Sequence, residues 1–389
     1  MTDLEQILAL WRELSAAGTD YVLATVVSVE GSGYRKPGAR MLISADGRRA
    51  GTISGGCLEG DVARKAFWHT QGGQVVRRYS TRAEDGEVPY GMGCGGVVVL
   101  LLERAATASR LLERLAESFE SRQALAVATV LQGRWVGRRV FFPEASETKD
   151  TDSADLGPAA NFAELARLAE FAMNEKQSFA QHLSLDKGEF LPVRVDWHAA
   201  RPGLHIFGAG DDAVPLVKLA RQLGWFVSVA DGRSHLATRN RFPEAHETHV
   251  LADGAHFPSG LRPTDAAVLM THSMDQDQRL LGMLLDTNLA YLGVLGPARR
   301  THEMLLNLAE NMGLPETSAE NHAHEWLKRI HAPMGLDLGA STPATIALEI
   351  LAEIQLVLHS ASGRPLREIR REVRRPIQES PFLSAGTRS

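Results

Sequence analysis

The stretch that most constrains the fold is residues 203–233, which reads as strand, glycine-rich turn, helix, strand and acid. Residues 204–207 form a short apolar run, and Gly208, Ala209 and Gly210 form the turn. Val214, Leu216, Val217, Leu219, Ala220 and Leu223 then recur at helical spacing, and Gly224 ends the helix. Residues 225–230 read as a second buried strand, with Asp231 at its end. Gly208 permits the tight turn. Gly210 has no Cβ, so a pyrophosphate can approach the backbone where the helix N-terminus offers free N–H groups and partial positive charge. Asp231 follows Gly210 by 21 residues, the spacing of a ribose-binding carboxylate, and Ala213 stands at the third small position of the fingerprint. The pattern predicts a Rossmann-type unit. Two acids, Asp211 and Asp212, sit where a phosphate would dock and would repel it unless turned away. An α/β unit that binds no nucleotide is the alternative.

The chain has 389 residues, enough for two or three domains, and 44% of them are hydrophobic. Its net charge of −5 comes without a block of like charge. Arg364, Arg367, Arg370, Arg371, Arg374 and Arg375 are interleaved with Glu368 and Glu372, so residues 361–389 read as a basic tail or solvated helix face, and nucleic-acid binding is not expected. No secretory signal opens the chain, no apolar run reaches membrane-spanning length, and only two cysteines occur. A cytoplasmic protein with free thiols and no membrane association is expected.

Along the first 200 residues the pattern is mixed α/β. Helices are predicted over 3–17, 58–69, 105–121 and 162–174. Strands are predicted over 21–29, 40–44, 49–53, 75–79, 97–103, 125–131, 135–142 and 189–197. Asp46-Gly47 marks one hairpin and Gly133 another. Residues 143–158 are acidic and polar, an expected exposed loop. Two glycine-rich turns hold the cysteines. Gly55-Gly56-Cys57-Leu58-Glu59 runs into a helix, and a thiol at a helix N-terminus has a lowered pKa. Gly93-Cys94-Gly95-Gly96 precedes an apolar strand, and its glycines allow either a tight path or a nest of N–H donors for an anion. Glu59 also reads as a first-turn carboxylate favoured by the helix dipole. Free cysteines are more often small buried hydrophobes, but these two sit in turns.

From 203 to about 360, strands alternate with helices: strands at 248–252, 266–270 and 291–295, and helices at 278–286, 298–311 and 343–360. That order implies a doubly wound parallel sheet, whose ligands bind at the carboxyl ends of the strands. Gly208, Ala209, Gly210, Asp231, Arg233, Thr271, His272, Gly296 and Arg299 would line that edge as a nucleotide site.

These residues resemble the XdhC/CoxI family, the xanthine dehydrogenase accessory proteins, over nearly the whole chain. The first domain carries Gly38-Ala-Arg-Met, Gly51-Thr-Ile-Ser-Gly-Gly-Cys57-Leu-Glu59 and Gly93-Cys94-Gly95-Gly96. The second carries Phe207-Gly-Ala-Gly, Asp231-Gly-Arg233, Arg241-Phe242-Pro243, Met270-Thr-His272, Gly293-Val-Leu-Gly296 and His331-Ala-Pro-Met-Gly-Leu-Asp337. Pro297 departs from a small Ser-like residue, and the acidic insert is particular to this chain. The resemblance implies a first domain over 1–200 and a Rossmann-like domain over 203–360. It further implies a homodimeric chaperone that binds molybdenum cofactor (molybdopterin), supports its sulfuration and helps insert it into a xanthine dehydrogenase-type molybdenum hydroxylase. A cysteine desulfurase is a further candidate partner. Gly55, Gly56, Cys57, Glu59, Gly93, Cys94 and Gly95 would hold the cofactor. Cys57 and Cys94 would ligate molybdenum as soft thiolates or carry sulfur as persulfides.

Two enzymatic readings compete: an NAD(P)-dependent oxidoreductase, and nucleotidyl transfer to the cofactor. The first lacks a second motif supplying an acid or base for hydride transfer, His272 being its one candidate. A maturation chaperone rather than an enzyme is expected.

Overall fold

A computed structural model describes residues 2–31, 35–56, 58–80, 96–143, 159–184, 190–251 and 260–372. The chain divides into two compact units, Thr2–Ala200 and Arg201–Arg375.

The first unit begins with α1 (Asp3–Ala16), started by a capping box in which Thr2 and Glu5 exchange side-chain and backbone bonds. Next come β1 (Tyr21–Glu30), β2 (Arg40–Ser44), β3 (Arg49–Gly51), α2 (Glu59–His69), β4 (Val75–Ser80), β5 (Val97–Arg104) and α3 (Ala105–Ser121). The five strands form an antiparallel sheet ordered β3-β2-β1-β5-β4. The unbroken apolar run of β1 has a simple cause: both its faces are covered. Leu23 packs with α1 and α3, while Val22, Ala24 and Val26 pack with α2. Each such fully buried Val or Leu contributes about 1.5–3 kcal/mol. A second antiparallel sheet, ordered β7-β6-β9-β8, comprises β6 (Leu125–Val130), β7 (Arg139–Phe142), β8 (Phe179–Ser184) and β9 (Phe190–His198), with α4 (Ala159–Glu175) packed on it. The hairpin read from residue 135 starts later, because Gly133–Trp135 is a short 3-10 turn. β8 is absent from the sequence reading. It is an edge strand whose one buried residue is Leu183, so its polar composition hides it.

Side chains of β2, β5, β7 and β9 form a buried charged cluster. Arg139 donates to Glu103 (2.7 Å), Arg194 donates to Asp196 (2.8 Å), and Arg40 Nη2 lies 3.5 Å from His198 Nε2. Burial, then the Arg40 guanidinium, pushes the His198 pKa down to about 4. Between pH 6.5 and 4 the unfolded chain therefore binds a proton that the native His198 refuses, so stability falls on acidification through this window. Denaturant titrations across it are expected to show a shallower pH slope in His198→Gln than in wild type; equal slopes would remove His198 as the cause.

The second unit has five parallel strands: β10 (Gly203–Phe207), β11 (Phe226–Asp231), β12 (Glu247–Val250), β13 (Ala266–Leu269) and β14 (Tyr291–Val294). Their order, β12-β11-β10-β13-β14, places the switch point, where the chain turns from one side of the sheet to the other, between β10 and β13. The helices are α5 (Ala213–Gln222), α6 (Met274–Leu285), α7 (Ala298–Asn311), α8 (Glu316–Leu327), α9 (Pro343–Leu358) and α10 (Leu366–Glu372). α5 buries Ala213, Leu216, Val217 and Ala220, one helical stripe, with Ala347, Ile350, Leu351 and Ile354 of α9 in the same core. α9 starts with Pro343 at N1 and reciprocal Thr342–Thr345 caps. α8 is the second element the sequence reading lacks; it buries little beyond Ala319 and Ala323, so its apolar stripe is faint. No helix among the described residues is long and apolar enough to cross a membrane. The expected fold class, a mixed α/β domain followed by a Rossmann-like parallel sheet, is the one observed.

Candidate functional site

In the first unit the chain leaves β3 and winds around one carboxylate. Glu59 opens α2 and is 8% exposed. Its Oε1 accepts N–H bonds from Ile53 (3.1 Å), Ser54 (2.8 Å) and Gly55 (3.1 Å). Its Oε2 accepts from Gly56 N–H (2.9 Å) and the Ser54 hydroxyl (2.6 Å). Leu58 N–H in turn donates to Ser54 Oγ (2.9 Å). Convergence of successive amides on one anion requires left-handed backbone, and Gly55 and Gly56 supply it with φ of +91° and +121°. Burial alone would raise the carboxyl pKa. The Ser54 hydroxyl and the ring of amides outweigh it and hold Glu59 down to about 2.

The loop's own hydrogen bonds bear on the sequence reading. Gly55 and Gly56, named as cofactor-holding residues, donate their N–H groups to Glu59, which shapes the loop from within. Ser54 is the residue that reading passed over. Its hydroxyl sits at the centre, and a serine just ahead of Gly-Gly and five residues before a first-turn acid was the available signal. The residues flanking Cys57 are thereby anchored on both sides, Gly56 to Glu59 and Leu58 to Ser54. Cys57 itself, with Gly93, Cys94 and Gly95, lies outside the described residues.

In the second unit the carboxyl ends of β10, β11 and β13 bring Gly208, Ala209, Gly210, Asp231, Arg233, Thr271 and His272 to one edge. Gly208 has φ +127°, and a Cβ there would meet the Met270 carbonyl oxygen at 2.3 Å. At Gly210 a Cβ would meet only His272 ring atoms, at an ordinary contact distance of 3.9 Å. The Gly210, Asp211 and Asp212 N–H groups have no acceptor among the described residues, leaving three donors at the start of α5. The two acids that threatened this anion site are both engaged. Asp211 pairs with Arg241 (2.8 Å), whose guanidinium also reaches the Ala209 carbonyl (3.3 Å). Asp212 pairs with His272 (3.3 Å), a residue held at φ +63°.

Asp231 is placed differently from a ribose-binding acid. It is 0% exposed. It accepts from Ala209 N–H (2.7 Å), from Arg233 N–H (2.8 Å) and from Arg233 Nε (3.0 Å) and Nη2 (2.8 Å). Burial raises its pKa, but the Arg233 fork and the two amides more than reverse this and keep the carboxyl below its ordinary range. As it stands, Asp231 ties β11 to the glycine loop, and Arg233 covers it. Thr271 is also turned inward, its hydroxyl donating to Asp277 Oδ1 (2.6 Å). The other oxygen of Asp277 receives Arg300 (2.7 Å). Arg299 is not drawn to the edge; its side chain is 90% exposed and pairs with Glu303 on its own helix. The arginine that reaches back to the strand ends is its neighbour Arg300, which also meets the Leu295 carbonyl (3.3 Å) beside Gly296 (φ +110°). Arg241, Asp277 and Arg300 are thus the edge residues that sequence reasoning missed. Only the quoted Arg241-Phe242-Pro243 motif signalled one of them. The His331 loop is structural: His331 stacks on Tyr291 at 4.3 Å, and Glu353 accepts from Tyr291 (2.6 Å), His331 (2.9 Å) and Gly335 N–H (2.7 Å).

Fold and edge together define a Rossmann-type unit preceded by an antiparallel α/β unit with a carboxylate-locked loop. The family model of the XdhC Rossmann domain matches residues 204–354, and that of the XdhC and CoxI family matches residues 14–80. A Bacillus subtilis (strain 168) protein named as a probable xanthine dehydrogenase subunit is 31% identical over 345 residues, 86% of this chain and 92% of that one. The Escherichia coli (strain K12) molybdenum cofactor insertion chaperone PaoD is 24% identical, covering 91% of this chain and 89% of its own. A crystal structure described as a xanthine dehydrogenase from Bacillus halodurans superposes with a TM-score of 0.67 at 28% identity, covering 92% of this chain and 96% of that one. The chain belongs to the XdhC and CoxI family.

Proposed function

We propose that this chain is a molybdenum-cofactor accessory protein that serves a xanthine dehydrogenase-type hydroxylase. The observation that carries this reading is likeness, over about nine-tenths of both chains, to a protein named a molybdenum cofactor insertion chaperone. The Ser54–Glu59 loop supports it chemically. Both chain neighbours of Cys57 are anchored just before a helix N-terminus, and a cysteine thiolate is the form that ligates a soft metal. Sulfuration belongs to the same proposal. Cys57 and Cys94 are its candidate carriers of sulfur delivered by a cysteine desulfurase. We take the protein to work as a cytoplasmic homodimer.

The three amides of residues 210–212, without an acceptor among the described residues, suit a phosphate, whether that of the pterin or of a nucleotide. NAD(P)-dependent hydride transfer gains no support, since Asp231 is closed by Arg233 and His272 is paired with Asp212. The test is made in a strain lacking this gene. Wild type is expected to restore hydroxylase activity and its sulfurated molybdenum. Cys57→Ala and Cys94→Ala are expected to leave the hydroxylase present but inactive. Full hydroxylase activity without the gene would refute the proposal.

A further inference from the structure

A cluster of metal-ligating side chains lies away from both candidate sites, on the helix hairpin α7–α8. His302 comes from the second turn of α7, and Glu320 and His324 stand one turn apart on α8. One ligand atom from each of the three lies within 4.8 Å of the other two. His302 Nε2 is 3.3 Å from Glu320 Oε1, close to the edge of about 3.4 Å expected of a tetrahedron with metal–nitrogen bonds near 2.1 Å. His324 Nδ1 is 3.7 Å from the same oxygen, and the two imidazoles meet edge-on at 5.1 Å.

One nitrogen of the cluster is buried and open to a ligand. His302 Nε2 is shut off from solvent and has no hydrogen-bond partner among the described residues. It faces the carboxylate, outside bonding geometry. His324 Nδ1 lies 2.9 Å from the Glu320 carbonyl oxygen. A carbonyl only accepts, so Nδ1, the His324 nitrogen that lies near the carboxylate, carries a proton in the metal-free chain and gives up that bond on ligating. Two imidazoles and one carboxylate suit a borderline divalent ion of the zinc class and poorly suit magnesium or calcium, which take oxygen shells.

We propose that His302, Glu320 and His324 bind one divalent ion of the zinc class, with a fourth position left to water. The ion staples α8 to α7, the helix that carries Arg300 into the strand edge. The site does not depend on the molybdenum reading.

The experiment uses the full chain after chelator treatment, in a Cys57→Ser/Cys94→Ser background so that thiols do not take the metal. Zinc chloride is titrated by calorimetry, and thermal unfolding is followed with and without it. One zinc per chain and a raised Tm are expected, with at least a tenfold affinity loss in His324→Ala and in His302→Gln. His324 is mostly exposed, so its variant is expected to fold even if the His302 variant does not. His322, on the same helix but bonded to the Ser318 carbonyl outside the cluster, serves as control, and His322→Ala is expected to bind zinc as the parent does. No stoichiometric binding, or binding that His324→Ala leaves unchanged, would overturn the proposal.

Discussion

Glu59→Gln is expected to lower the stability of the first unit by about 3 kcal/mol, the full value of a carboxyl held near 2 against an unfolded value near 4.5. Five donors converge on the two oxygens of Glu59. A glutamine offers one oxygen, and its amide hydrogens would face either the Gly56 N–H or the trio from Ile53, Ser54 and Gly55. At least one buried donor then goes unmatched, at about 1–3 kcal/mol each. The sign of the pH effect follows from the depressed value. The contribution is complete above the unfolded pKa of about 4.5 and is lost as pH falls through about 2. Denaturant midpoints for wild type and Glu59→Gln should therefore differ most near neutrality and converge in acid. A variant within about 0.5 kcal/mol of wild type, the scatter of a neutral surface change, would mean the loop does not depend on this carboxylate. Because Gly56 and Leu58 hang on the same network, the alkylation rate of Cys57 should change in the same variant.

Gly208→Ala is expected to be at least as damaging, while Gly210→Ala is expected to spare the fold. A methyl at Gly208 would stand 2.3 Å from the Met270 carbonyl oxygen and 2.6 Å from its carbon, both backbone atoms of the neighbouring strand end. The φ of +127° adds strain that an alanine cannot relieve. Separating β10 from the end of β13 should cost upwards of about 3 kcal/mol. At Gly210 the nearest atoms are 3.9 Å away and φ is not positive, so an alanine there should leave Tm close to wild type. That methyl would instead add bulk beside the amides of residues 210–212, which have no acceptor among the described residues. Gly210→Ala should weaken phosphate-ligand binding without unfolding, whereas Gly208→Ala should lose both together. Equal behaviour of the two variants would contradict the division of labour drawn from their surroundings.

The Rossmann unit was legible because its evidence is local. A strand, a turn that needs Gly208, a helical stripe and an acid 21 residues past Gly210 all fall within one short stretch. What the spacing could not reveal is which group meets Asp231. The answer, Arg233 two residues away and the Ala209 amide 22 residues back, depends on side-chain direction at the end of β11. Arg299 and Arg300 are adjacent and chemically alike; only the helical phase of α7 against β14 decides that Arg300 turns inward. Arg241 reaches the glycine loop from 32 residues downstream, and the Arg40–His198 contact spans 158 residues. Periodicity carries no signal for such pairs. In the cysteine loop Gly55 and Gly56 read as cofactor-holding residues, and Glu59 both as ligand and as helix-dipole residue. The structure gives it a third role, as the anion that the glycine amides enclose.

The most direct test of the molybdenum reading is the metal and pterin content of the wild-type protein purified from a host that makes molybdenum cofactor. Stoichiometric molybdenum and pterin, lost together in Cys57→Ala, is the predicted result; a folded wild-type protein carrying neither would contradict it.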